Sequence, residues 1–173
     1  FFVWTLLTLF ISEIFQLNVA GVSLIGPAFV EAQSIVPIIL LAYVFQGAYL
    51  NFLPGIYFEE KTKYIAAITG LSAAVNIVVN FTLIPSFGMT GAAYATLAGH
   101  GTMAITTYFT SKKLFPIPYD WFRLFRAVTA VVIALGTAHL LDYTLPGRIA
   151  GAAAFIGALF LLKVITLGRL KNI

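Results

Sequence analysis

Apolar residues along this chain come in long unbroken runs rather than in alternation. Five runs are long enough to cross a bilayer, at about 30–53, 63–84, 90–110, 121–141 and 149–167. At about 1.5 Å per residue each reaches roughly 30 Å, the thickness of a hydrocarbon core. A sixth, FFVWTLLTLFI at about 1–11, stops at Ser12 and Glu13. It is too short to span and has no basic segment before it, so it reads as a truncated transmembrane helix and not as a signal peptide. The pattern predicts an all-α integral membrane protein, a six-helix bundle lobe with its first helix truncated, and therefore part of a larger protein. A strand barrel is disfavoured because its segments would be about half as long and would alternate.

Composition strengthens this reading. Of 173 residues 61% are hydrophobic and only 9% charged, and the mean hydropathy is +0.99. A water-soluble domain has no means of hiding that much apolar surface. The absence of cysteine removes disulfides, thiolate nucleophiles and sulfur metal sites from consideration.

The net charge of +4 would suggest nucleic acid in a soluble protein, but here the charges are sorted by loop. Lys61 and Lys63 flank one turn, Lys112, Lys113, Arg123 and Arg126 the next but one, and Lys163, Arg169 and Lys171 the C-terminus. Those nine of the ten basic residues fall at every other loop, and so on one side, with Arg148 alone opposite them. The positive-inside tendency then predicts a cytoplasmic C-terminus, an outer turn at Pro85 and a multi-pass protein of the cytoplasmic membrane. No nucleic-acid partner is expected.

Polar residues inside the apolar runs are the candidates for function. Asn76 and Asn80 lie four apart, with Ser72 extending the row, so all three share one helix face. Amides facing hydrocarbon would be unsatisfied, so they face other helices, water or substrate. Pro85 and Gly88 suit a compact outer turn. Gly91, Ala95 and Gly99 form a small face for close helix approach, with Ala66, Gly70 and Ala74 repeating it in the preceding helix and Gly147 with Gly151 near the last. His100 falls near mid-membrane, where an ionisable residue is a functional candidate, although a hydrogen-bonded neutral imidazole serves structure equally.

Tyr43, Gln46 and Tyr49 recur at intervals of three on the second helix. With Asn51 near its end they are candidates to line a substrate cavity, and interhelical bonding explains them as well. Pro37 is a possible kink. Lys61 and Lys63 suit lipid phosphates, whether of the bilayer or of a substrate. No nucleotide-binding loop, nucleophile elbow or carboxylate dyad is present, so no enzymatic activity is expected. The two isolated histidines form no metal cluster, and no cofactor is expected.

Two stretches, VPIILLAYVFQGAY and KTKYIAAITGLSAAVNIVVNFTLIPSFGMTGAAYAT, resemble the polysaccharide and O-antigen flippase branch of the multidrug, oligosaccharidyl-lipid and polysaccharide exporter superfamily. The specific part runs from a Lys-Thr pair through VN, N, LIP, G and GAA to AT, and onto it fall Asn76, Asn80, Pro85, Gly88, Gly91, Ala92 and Thr96. The resemblance covers essentially the whole chain and implies the C-terminal lobe of a transporter. Such proteins pair two pseudo-symmetric six-helix bundles about a central cavity and move lipid-linked oligosaccharide by alternating access. The partners implied are that lipid-linked saccharide, membrane lipids and an N-terminal lobe of the same protein. His100 lies outside the matched pattern. A lobe of a multidrug cation exporter and a non-transport membrane scaffold remain alternatives.

Overall fold

In the computed structural model the described residues are 1–16, 18–19, 22–23, 26–115 and 117–162. The helices are α1 (Phe2–Phe15), α2 (Val36–Phe52), α3 (Pro54–Tyr57), α4 (Lys63–Leu114), α5 (Trp121–Leu140) and α6 (Leu145–Leu161). A 3-10 segment, Pro27–Ser34, precedes α2. A two-residue antiparallel pair, β1 (Asn18–Val19) with β2 (Val22–Ser23), places Asn18 opposite Ser23 and Val19 opposite Val22. The chain is a helical, multi-pass membrane-spanning protein. Among the described residues three helical stretches are long and apolar enough to span, Val36–Tyr57, Lys63–Leu114 and Trp121–Leu140. Large apolar side chains such as Phe81, Phe122, Leu140 and Leu161 are 79–84% exposed, as a lipid-facing surface requires.

The helix bounds depart from the expected ones for local reasons. α1 continues through Ser12 and Glu13 to Phe15, and the Glu13 carboxylate is held by Arg148. The helix expected from residue 30 begins at Val36, which puts Pro37 in the first turn, where a missing N–H costs nothing and no kink follows. α6 begins four residues ahead of the expected 149: Thr144 caps it, accepting a hydrogen bond from the Gly147 N–H at 3.3 Å, and a proline occupies its first turn. The end of the run expected to reach 167 lies outside the described residues, as do Lys163, Arg169 and Lys171.

The largest difference is at the outer turn. α4 stays helical through Pro85, and the break comes at Gly88, whose φ of 53° and ψ of −128° are non-helical. Ser72 and Gly99 are hydrogen-bonded, yet 27 residues of straight helix would separate them by about 40 Å. The chain therefore doubles back at Gly88 into two antiparallel arms, 63–87 and 89–114. The second arm ends with Lys112 and Lys113 in its last turn, matched to the negative pole of the helix. Phe115, the residue before a proline, is extended.

The chain divides into two compact units, Phe1–Leu24 with Tyr119–Ile173, and Ile25–Pro118. The core of the first joins Ala130, Val131 and Ala134 of α5 to Phe155, Ala158 and Leu159 of α6, with Trp4 of α1 packed against it. Gly151 allows this approach, since a Cβ there would lie 2.7 Å from the Ala134 carbonyl oxygen. The core of the second joins Tyr49, Leu53 and Ile56 to Ile68, Met103 and Ala104. Of the three small faces expected, Gly91, Ala95 and Gly99 are buried, as are Gly147 and Gly151. Ala66, Gly70 and Ala74 are exposed and pack against nothing that brings a Cβ contact at Gly70. Spacing alone does not distinguish a packed small face from a bare one.

Candidate functional site

Within the second unit the two arms of α4 diverge around a cleft of about 320 Å³. Thr69, Ser72, Ala73 and Asn76 line it from the first arm, and Thr96, Gly99, His100 and Met103 from the second. Spacings of three and four place each set on one helix face, so the cleft is a direct product of helical period and the reversal at Gly88.

Its floor is where the arms touch. The buried Ser72 hydroxyl donates to the Gly99 carbonyl at 2.6 Å. A Cβ at Gly99 would stand 3.1 Å from the Asn76 Cβ, so glycine is what lets the backbones meet. Closer to the turn, a Cβ at Gly91 would lie 2.6 Å from the Leu83 backbone.

The hydrogen-bonding inventory of the cleft is uneven. Asn80 donates from Nδ2 to Asn76 Oδ1 at 3.0 Å, which uses the Asn76 acceptor. Among the described residues no acceptor takes the Asn76 Nδ2 protons, so this side chain presents donors. The Thr96 hydroxyl donates back to the Ala92 carbonyl at 3.0 Å and keeps lone pairs to offer. The His100 Nδ1 is buried without a hydrogen-bond partner among the described residues, and so is Gln46 Oε1 on α2. No Asp, Glu, Lys or Arg is among the described lining residues.

The sequence-expected candidates fall into three places. Tyr43 and His100 are brought together, with ring centroids 6.0 Å apart at 49°, and Tyr43 is otherwise exposed. Tyr49, expected on the same face, is buried in the α2–α4 core, where Thr69 hydrogen-bonds with it. Gln46 lies between these extremes of burial. Asn51 is exposed and donates from Nδ2 to the Gly47 carbonyl at 2.8 Å, closing on its own helix away from the cleft.

Lys61 and Lys63 sit at the turn before α4 and do not line the cleft. Lys61 pairs with Glu59 at 3.6 Å, and the Lys63 ammonium lies 5.8 Å from the Tyr64 ring centroid. Of the motif positions, Asn76 and Thr96 line the cleft. Pro85 and Asn80 border a second, apolar groove with Ile77, Phe81 and Ile84, Gly88 makes the turn, and Gly91 is buried with Ala92 half-buried beside it.

Thr69 and Met103 were not singled out by the sequence. Thr69 continues the Ser72–Asn76 row by three residues, and Met103 continues the Gly99–His100 row by three or four. Extending each row by one turn would have found both.

No cluster of three or more His, Cys, Asp or Glu side chains able to hold a metal occurs among the described residues. Comparisons with protein-family models, with curated proteins and with solved structures find no match.

Proposed function

We propose that this chain is the C-terminal lobe of a flippase that carries lipid-linked oligosaccharide across the bacterial cytoplasmic membrane by alternating access. The observation that supports it most is the cleft of uncharged hydrogen-bonding groups inside a membrane hairpin. A free amide donor such as Asn76 Nδ2 turned toward hydrocarbon would go unsatisfied at a cost of several kcal/mol. That wall therefore faces water or a polar ligand, as the inner surface of a carrier does. Sugar hydroxyls match an amide, a hydroxyl and an imidazole. A cationic drug calls for carboxylates, and none lines the cleft among the described residues. In this reading the spans are six, with the arms of α4 counted separately. A second lobe supplies the opposite wall, the basic turns face the cytoplasm, and translocation breaks no covalent bond.

The test is complementation. The full-length protein is expected to restore surface polysaccharide in a cell that lacks its own flippase, and Asn76→Leu is expected to reduce export about ten-fold, the loss of one buried hydrogen bond of roughly 1.4 kcal/mol, at unchanged membrane abundance. Export of a small cation with no saccharide lipid moved would replace this reading with the drug-exporter one. Full activity of Asn76→Leu would remove the cleft from the transport path.

A further inference from the structure

The N-terminal half of α5 carries the sequence WFRLFRAV, and its exposed apolar side chains form a groove. Trp121, Phe122, Leu124, Phe125 and Val128 line an apolar groove of about 610 Å³. These positions recur at intervals of three and four, so they form one stripe, and the stripe continues to Val132, which is 63% exposed. The opposite face, through Ala130, Val131 and Ala134, is packed in the core.

Two arginines interrupt this apolar surface, and their surroundings differ. Arg123 is engaged by the helix cap: Asp120 Oδ2 lies 3.5 Å from its Nε, and Asp120 Oδ1 accepts from its backbone N–H at 2.9 Å. Arg126 is exposed and has no carboxylate partner among the described residues. It follows Phe122 by one turn at the edge of the stripe. A guanidinium left without a counter-ion beside a groove that is apolar along its length is complementary to one chemistry, an anionic headgroup joined to a hydrocarbon chain. Trp121 and Phe122 open a helix of spanning length, where aromatic side chains suit a membrane–water interface and basic residues attract anionic lipid.

We infer that this face of α5 is a binding site for an anionic phospholipid of the surrounding bilayer. Its phosphate sits on the Arg126 guanidinium, and its acyl chain lies along Phe125, Val128 and Val132. The site is built from residues of the first unit and the cleft from residues of the second, so the inference does not depend on what the cleft carries.

Trp121 lines the groove and is its own reporter. This chain has two tryptophans, so Trp4→Phe leaves Trp121 as its single tryptophan, excited selectively over the tyrosines at the red edge of the absorption band. The purified full chain with that substitution is reconstituted in vesicles containing increasing fractions of brominated phosphatidylglycerol or brominated phosphatidylcholine with identical chains. Quenching of Trp121 is expected at about five-fold lower mole fraction of the anionic lipid, the ratio equivalent to roughly 1 kcal/mol for one arginine. Arg126→Gln is expected to merge the two curves, and Arg126→Lys to preserve most of their separation. Coincident curves in the starting protein, or a separation that survives Arg126→Gln, would overturn the inference. Displacement of the brominated phosphatidylglycerol by an equimolar polyprenyl phosphate would also overturn it, by assigning the site to a substrate lipid.

Discussion

Gly88 does by backbone conformation what no other residue in α4 can. At φ 53° and ψ −128° an L side chain is strained, although a Cβ would meet nothing within 4 Å. Gly88→Ala should therefore destabilise through the backbone alone, by about 1–3 kcal/mol, measurable as loss of helical circular dichroism on heating in detergent. The buried glycines of the second arm fail differently. A methyl at Gly91 collides with the Leu83 backbone at 2.6 Å, whereas one at Gly99 meets the Asn76 side chain at 3.1 Å. Backbone yields less readily than a side chain, so Gly91→Ala is expected to lower the melting temperature more than Gly99→Ala. Gly70→Ala, which meets nothing, should be neutral or stabilising by up to about 1 kcal/mol through helix propensity. The reverse ranking in a thermal scan would mean that the arms do not pack at these glycines.

At the scale of elements, two contacts hold helices that are far apart in sequence. One is the Ser72–Gly99 hydrogen bond between the arms of α4. Ser72→Ala is expected to cost about 1 kcal/mol, the usual size of an interhelical bond in a membrane protein. The other ties α1 to α6: Arg148 Nη1 donates to Glu13 Oε1, while Glu13 Oε2 and Arg148 Nε are buried without partners among the described residues. Because about a third of the Glu13 side chain is open, the coupling is smaller than for a fully buried pair. A double-mutant cycle of Glu13→Gln and Arg148→Gln should give about 1–2 kcal/mol. A coupling indistinguishable from zero in denaturant titrations would mean that the pair does not hold α1 in place.

For the whole molecule, the alternation of basic loops leads to a direct experiment, because the chain contains no cysteine to contribute background. Ser86→Cys, exposed beside the Gly88 turn, should react with a membrane-impermeant maleimide in intact cells. Thr62→Cys, exposed between Lys61 and Lys63, should react only after lysis. Labelling of both from outside, or the opposite pattern, would overturn the orientation predicted from the positive-inside tendency. The test bears on topology independently of cargo, since a scaffold and a carrier with these loops would label alike.

Hydropathy by itself determined that the chain is helical and crosses a membrane more than once. Long apolar runs leave no other way to satisfy the backbone in lipid. It also determined that residues 72, 76 and 80 share a face, since that follows from the helical period alone. Tertiary structure decided which faces are used. Ala66, Gly70 and Ala74 have the same spacing as Gly91, Ala95 and Gly99, yet only the second set is buried, because burial depends on the partner surface and not on the residues that wait for one. Tyr43 and Tyr49 likewise share a sequence pattern, but one stands exposed over His100 and the other lies in the core. The turn expected from Pro85 and Gly88 together is made at Gly88 alone for a related reason: a helix tolerates a missing N–H near its end, whereas only glycine relieves the strain of the reversal itself. The cleft exists because that reversal brings the Ser72–Asn76 row against the Gly99–His100 row, a meeting of positions 27 residues apart that no local pattern contains.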